Sequence, residues 1–133
     1  MLDTHLVLWF AFELDRLSTK ARKLIQGRDN ELAFSVASLW EIAIKNSLGR
    51  ADFKFDPLRL RNGLLAEGVA ELRIEAAHVA RVSSLPWVHK DPFDRLLVAQ
   101  VQAERATLLT IDRTLAAYGR MALTLAIPRR QRA

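Results

Sequence analysis

The chain has 133 residues, half of them hydrophobic, a length that supports one domain with a substantial core rather than two. Lys and Arg outnumber Asp and Glu by 20 to 15, and this net charge of +5 weakly favours a polyanionic partner such as nucleic acid. The sequence contains no cysteine, which excludes disulfides and thiolate metal sites, so any metal ligands must be oxygen or imidazole groups.

The N-terminal region is predicted to form two helices. The first begins at THLVLW after Asp3, and its apolar segment LVLWFAF (6–12) is far shorter than the roughly 20 residues of a membrane-spanning helix. An acid precedes this segment and no basic leader does, so it lacks the pattern of a signal peptide. We therefore expect a cytoplasmic protein with no membrane partner. Ser18 begins the second helix, which ends at Gly27.

From residue 31 onward, short apolar runs alternate with segments of helical periodicity. Strands that alternate with helices pair in parallel and are covered by helices on both faces, so the predicted fold class is α/β. In chain order we predict a strand at 31–36, helices at 37–49 and 57–68, a strand at 69–74, helices at 75–86 and 91–105, a strand at 107–111, a short helix at 113–119 and a strand at 122–127.

Four carboxylates lie at the ends of predicted strands or one turn into the helices that follow. Asp3 follows the short segment Met1-Leu2, Glu41 follows the strand 31–36, Asp94 lies in the first turn of the helix at 91–105, and Asp112 follows TLLTI. In an open parallel sheet, ligands bind beyond the carboxyl ends of the strands. We therefore expect these acids to meet in one pocket.

Each acid also has an interpretation as a helix cap, which is favoured when the acids are taken singly. Asp3, Asp91 and Asp112 each precede a predicted helix, and Ser38 with Glu41 fits a capping box. Four carboxylates gathered together would repel one another unless protons or cations neutralised them. Oxygen-only ligands suit Mg²⁺, or Mn²⁺ in its place. Such a site, acting through metal-activated water, is suited to phosphodiester hydrolysis.

Five motifs in order resemble those of PIN-domain ribonucleases, in particular toxins of the VapC type. The resemblance covers residues 2 to about 127. It implies a PIN-like α/β/α sandwich with a mostly parallel sheet, which we assign to residues 1–127. The arginine cluster after it predicts a basic, disordered tail at 128–133. It also implies a Mg²⁺-dependent endoribonuclease of tRNA or other structured RNA, inhibited by a cognate antitoxin. The motifs are LDTH (2–5), SVASLWEIAIK (35–45), HKDPFDRLLVAQ (89–100), LLTID (108–112) and AAYG (116–119).

Residue by residue, the resemblance assigns catalytic and metal-binding roles to four acids and a supporting role to Thr110, and their position beside these acids makes Asp91, Lys45 and Arg95 further candidates. Thr110 matches the hydroxyl residue two positions before the last acid, and Asp91 either helps through water or only caps the helix. Lys45 and Arg95 either act in the pocket, neutralising it or holding phosphate, or form ordinary surface ion pairs. The acids that match the family's quartet are Asp3, Glu41, Asp94 and Asp112.

The sequence departs from the family pattern at its start. In this family the first acid ends a central strand of several residues, whereas only Met1 and Leu2 precede Asp3. Either that strand is very short or the natural start lies upstream.

Histidine and aromatic residues have open interpretations. His5 and His89 are candidates for phosphate contact or local hydrogen bonding, and His78 is expected to be structural. For four aromatic residues, the sequence leaves open whether they stack on bases or are buried in the core or a subunit interface, namely Trp9, Phe10, Trp40 and Trp87.

The sequence also suggests partners and leaves two other functions open. The apolar segment 6–12 is predicted to lie partly in a homodimer interface or an antitoxin groove. Alternatives to the ribonuclease are a DNA-directed nuclease of the same chemistry and a noncatalytic RNA-binding or adaptor module in which the acids only cap helices.

Overall fold

The computed structural model describes residues 1–27, 30–49, 54–87, 90–119 and 122–124, with the backbone only at 123 and 124. These residues form six α-helices, four short strands and two 3₁₀ segments. The helices are α1 Thr4–Phe12, α2 Thr19–Gln26, α3 Val36–Ser47, α4 Pro57–Ala66, α5 Ala76–Val82 and α6 Pro92–Glu104. The strands are β1 Ala33–Ser35, β2 Ala70–Leu72, β3 Leu108–Thr110 and β4 Ala122–Thr124, and the 3₁₀ segments are Leu14–Arg16 and Arg113–Tyr118.

The N-terminal residues join two parallel strand pairs into one layer. β1 pairs with β2 and β3 pairs with β4, both in parallel, with Phe34 opposite Glu71 in the first pair. Between the pairs, the Leu2 N–H donates to the Ala33 carbonyl, and Leu2 forms an isolated parallel β-bridge with Leu109. The order across the layer is therefore β2, β1, Leu2, β3, β4. The central strand position is occupied by a single bridged residue, Leu2, directly before Asp3.

Apolar side chains pack on both faces of this layer. Leu2 and Leu109 belong to one buried cluster together with residues of α1 to α4. Their chain neighbours Met1 and Leu108 belong to a second cluster with α6 and Leu115. Successive residues of an extended chain point to opposite faces, so helices cover both sides of the sheet. The predicted α/β fold with a parallel sheet is confirmed.

The observed elements are shorter than predicted, and the boundary between β1 and α3 explains one difference. Ser35 Oγ accepts from the Ala37 N–H at 3.0 Å, so the strand ends at Ser35 and the helix begins at Val36. Ser38 is therefore buried inside the first turn of α3, and its assignment as the cap of a capping box was wrong.

Several expectations fall on residues that the structure does not describe. These are His89, the end of the last strand at 125–127 and the tail at 128–133. Within the described ranges, no helix has the length and apolar character needed to cross a membrane.

Candidate active site

Asp3 lies where the central chain segment leaves the sheet and α1 begins. Its Oδ1 accepts from the Leu6 N–H at 2.9 Å, which caps the helix, and its Oδ2 accepts from the Thr110 hydroxyl. The side chain is 3% exposed. Burial raises the pKa of the Asp3 carboxyl, and Glu41 adds to this increase, whereas the two hydrogen bonds and nearby His5 oppose it. The cap predicted at this position is present, and it leaves the second oxygen for another contact.

Thr110 connects the first acid to the last. It is fully buried at the end of β3, donates to Asp3 and accepts from the Asp112 N–H at 3.0 Å. Asp112 in turn caps the following 3₁₀ segment by accepting from the Thr114 N–H at 2.9 Å. One hydroxyl therefore sets the relative position of two acids that are 109 residues apart in the chain.

Glu41 is held by two neighbours on the same side of the sheet. Its Oε1 accepts from the Thr4 hydroxyl at 2.7 Å, and its Oε2 lies 2.9 Å from Lys45 Nζ in an ion pair one helical turn away. Thr4 also lies 3.0 Å from the Ser38 hydroxyl. Glu41 is buried in α3, so these contacts fix its carboxylate rather than leaving it mobile in solvent.

Helix α6 brings two further acids to the same place. Asp91 caps the helix, accepting from the Phe93 N–H at 2.8 Å and the Asp94 N–H at 3.1 Å. Asp94 follows in the first turn, where a negative charge is favoured by the helix dipole. Both side chains are partly exposed.

All the predicted acids line one cavity of about 290 Å³. The convergence expected from the sequence is therefore present, and Asp91 belongs to it as well. The residues around this space, which we call the acidic cavity, are Asp3, Thr4, His5, Glu41, Lys45, Asp91, Asp94, Ile111 and Asp112.

Arg95 does not line the acidic cavity, so the pocket role that the sequence left open for it is absent from this structure. The residue is 4% exposed, and its guanidinium donates to the carbonyls of Pro86 at 2.9 Å and Val82 at 3.1 Å. On a helix, consecutive residues point in directions about 100° apart, so Arg95 points away from Asp94. It is not an exposed surface ion pair either, because it is buried.

The larger aromatic and histidine side chains divide between core and surface. Trp9 and Phe10 pack against the core, whereas Trp40 is 53% and Trp87 82% exposed. His78 is buried, and its Nδ1 accepts from the Glu75 N–H at 3.0 Å, in keeping with the structural role expected for it.

Comparison with known families matches the PIN domain to residues 1–121. The chain belongs to the PIN domain family. It is also similar to Ribonuclease VapC22 of Mycobacterium tuberculosis (strain ATCC 25618 / H37Rv), with 32% identity over 119 residues, which cover 89% of this chain and 90% of that protein. The resemblance inferred from the five sequence motifs is confirmed.

The donor set of this PIN domain suits a hard, hydrated cation. Every acid in the cavity offers oxygen, the ligand preferred by Mg²⁺ and Mn²⁺. Within the described part of the chain, no three His, Asp or Glu side chains come close enough together to ligate one ion directly. The carboxylates therefore line one cavity without meeting at a single position inside it. This arrangement fits an ion that contacts one or two carboxylates and keeps several waters.

Sequence reasoning missed two of the residues that hold this site. Thr4 and Ser38 lie beside Glu41, but nothing in a single sequence indicates which side chain a helical hydroxyl will meet across the fold. The only available signal was the position of Thr4, directly after the first acid and at the start of a helix.

Proposed function

We propose that the protein is a metal-dependent endoribonuclease and the toxin of a toxin–antitoxin pair. One observation carries the proposal. In a PIN domain, four separate parts of the chain bring carboxylates to a single cavity. The name of the similar protein, Ribonuclease VapC22, supports RNA as the substrate and this toxin type.

The acids would hold the cation, and the chain's own residues would position them. When bound, Mg²⁺ or Mn²⁺ supplies activation of water near neutral pH and stabilises charge on the leaving oxygen. Four acids would hold it, one or two by direct contact and the others through its waters, namely Asp3, Glu41, Asp94 and Asp112. Asp91 orients the first turn of α6, on which Asp94 stands. We infer in-line hydrolysis that leaves 5′-phosphate and 3′-hydroxyl ends.

Thr110 and Lys45 have supporting roles in this proposal. The Thr110 hydroxyl keeps Asp3 and Asp112 in register. Lys45 pairs with Glu41 at the cavity, where its positive charge offsets part of the acidic charge and can attract a phosphate of the substrate.

The substrate is proposed to be a structured RNA such as a tRNA, cut in the cytoplasm. A net charge of +5 favours a polyanion, and unpaired nucleotides in loops leave the phosphodiester accessible to a cavity of this size. A DNA-directed nuclease would use the same carboxylates, and the experiment below separates the two substrates.

Antitoxin binding is proposed at a groove beside the end of α1. Residues of α1, α2 and α4 line a groove of about 900 Å³, and Phe10 and Phe12, from the apolar segment 6–12, lie along it. The lining combines apolar side chains with polar ones such as Glu31 and Arg59, which suits an amphipathic segment of a partner protein. A cation carried by that partner and placed toward the acids would inhibit by occupying the acidic cavity.

A homodimer is proposed through the outer face of α3. Trp40, Ile44 and Leu48 recur at intervals of four residues and are 53%, 36% and 67% exposed, so they form an apolar stripe on one side of the helix. An exposed stripe of this kind is typical of an interaction surface. This face fits the dimer better than α1, whose Leu6 and Val7 are buried.

The decisive experiment compares cleavage of labelled RNA and DNA with Mg²⁺, with Mn²⁺ and with EDTA. We expect RNA cleavage that EDTA abolishes and that Asp94→Asn and Asp112→Asn reduce by several orders of magnitude. Asp56→Asn is the matched control, because Asp56 also caps a helix but lies outside the cavity. Undiminished cleavage by both cavity variants, or in EDTA, refutes the proposal. RNA binding without cleavage supports the adaptor, and preferential cleavage of DNA supports the DNA nuclease.

A further inference from the structure

Trp87 is the most exposed large hydrophobic side chain in the described part of the chain, at 82%. It lies in the connection between α5 and α6. The Arg95 guanidinium carbon is 4.2 Å from the centre of its ring, which is a cation–π contact. An aromatic ring that shows most of its surface to solvent gains little from the core, so its position needs another explanation.

The cation beneath the ring is fixed by the surrounding backbone. Arg95 is buried, and its two terminal nitrogens donate to the Pro86, Val82 and Leu85 carbonyls at 2.9, 3.1 and 3.4 Å. Trp87 therefore rests on a rigid support. A side chain already held in one orientation loses less conformational entropy when it binds a ligand.

This support is connected to the acidic cavity on two sides. Arg95 stands on α6 with Asp94, although on a different side of the helix, and Trp87 precedes Asp91 by four residues, a separation that the chain can span over at most about 14 Å. Arg95 also lies 3.4 Å from the hydroxyl of Tyr118, at the end of the 3₁₀ segment that Asp112 caps. The exposed ring is thus anchored on the same elements that carry three of the cavity acids.

We propose that Trp87 is a stacking platform for an unpaired nucleobase of the RNA, next to the phosphodiester held at the acidic cavity. This inference rests on the proposed ribonuclease function. A flat ring fixed on one side by a cation is suited to stacking on a base, which tolerates any base identity. A protein interface is less favoured, because three of the four other described residues that are exposed within four positions of Trp87 are polar, namely Ser83, Ser84 and Lys90.

The test measures RNA binding separately from cleavage. In an Asp112→Asn background with Mg²⁺ present, the affinity for a fluorescein-labelled single-stranded RNA is measured at several salt concentrations. Trp87→Ala is expected to weaken binding roughly 5- to 150-fold, from the usual contribution of one stacked base. Trp87→Phe should retain most of the affinity. Because stacking neutralises no phosphate, the slope of log affinity against log salt should not change.

Leu58→Ala is the control, because Leu58 is an exposed apolar residue, 68% accessible, that lines neither the acidic cavity nor the proposed antitoxin groove. It should leave RNA affinity unchanged. A 2-aminopurine base near the cut site should be quenched by the parent and not by Trp87→Ala.

Unchanged RNA affinity in Trp87→Ala overturns the stacking proposal while leaving the nuclease intact if the parent still cleaves. Loss of self-association or antitoxin binding in that variant, with RNA affinity preserved, assigns Trp87 to a protein interface instead. Failure of the parent to bind RNA overturns both proposals.

Discussion

Single hydroxyl groups hold the acids of this PIN domain in place. Thr110 donates to Asp3 and accepts from the Asp112 backbone, and Thr4 donates to Glu41. Both threonines are buried, so water does not compete for these hydrogen bonds. At the scale of the residue, the geometry of the site therefore depends on side chains that carry no charge.

Replacing Thr110 with valine tests this dependence. Valine keeps the branched shape but leaves the Asp3 carboxylate without its buried donor, at a cost of about 1–3 kcal/mol in the free energy of unfolding. We expect RNA cleavage to fall on the order of 100-fold, because small misplacements of catalytic groups have effects of this size. Thr110→Ser should restore cleavage. Equal rates for the valine variant and the parent in single-turnover assays would contradict the positioning role.

The pH dependence of stability reports on the burial of Asp3. Because its folded-state pKa is raised, the folded protein binds this proton more tightly than the unfolded chain does. The associated stability is fully present below the ordinary pKa of an aspartate and is lost as the pH rises through the raised value. Asp3→Asn is neutral at every pH and keeps an oxygen for the Leu6 N–H.

The stability of Asp3→Asn relative to the parent should therefore increase with pH across this window and then level off. The measurement is urea unfolding in EDTA at a series of pH values, with Asp56→Asn as the control for exchanging a capping carboxylate. A difference between parent and variant that stays constant with pH would show that Asp3 is not desolvated.

At the scale of the element, the start of α6 contains both acids of the candidate site and a residue that stabilises the fold. Asp91 and Asp94 line the cavity, whereas Arg95 binds the loop that precedes the helix. Its planar guanidinium donates to three carbonyls from two separate nitrogens, whereas a lysine has all its donors on one nitrogen. This helix therefore holds the loop and the acids in one rigid unit.

Arg95→Lys is thus expected to destabilise the fold although it conserves the charge. One ammonium nitrogen cannot occupy the positions of both guanidinium nitrogens, so at least one of these buried or partly buried carbonyls loses its donor, which costs about 1–3 kcal/mol in the free energy of unfolding. The exposed Arg113→Lys is the control and should unfold at the parent's denaturant concentration. Denaturant unfolding curves that coincide for all three proteins would rule out the proposed clamp.

Periodicity predicted the elements of this chain better than their ends. Strand and helix types were recovered from residue 31 to β4, and the caps at Ser18, Asp91 and Asp112 were read correctly. The boundary at Ser35 was missed because Ser38 fits the capping pattern equally well in sequence, and only the buried contact with Thr4 distinguishes them. The side of α6 from which the Arg95 side chain projects was not predicted either. Closeness to an acid along the chain does not determine the face of a helix on which a residue lies.

At the scale of the whole molecule, the parallel sheet gathers like charges that lie far apart in the sequence. Asp3, Glu41, Asp94 and Asp112 come from four segments, and the sheet and helices place them around one space. Close carboxylates repel one another, and Lys45 offsets only part of that charge. Without a cation, the fold therefore carries an electrostatic cost that a divalent ion would remove.

Added Mn²⁺ should consequently stabilise the folded protein. An ion that binds the folded chain alone adds about 2.7 kcal/mol to the free energy of unfolding at 100 times its dissociation constant. Thermal unfolding with EDTA and with increasing Mn²⁺ should show a rising midpoint for the parent and for Asp56→Asn. Asp94→Asn and Asp112→Asn should be at least as stable as the parent in EDTA, because each removes one repelling charge, and should gain much less from Mn²⁺. Equal gains for cavity and control variants would place the ion elsewhere on the protein and remove the physical reason for gathering these acids.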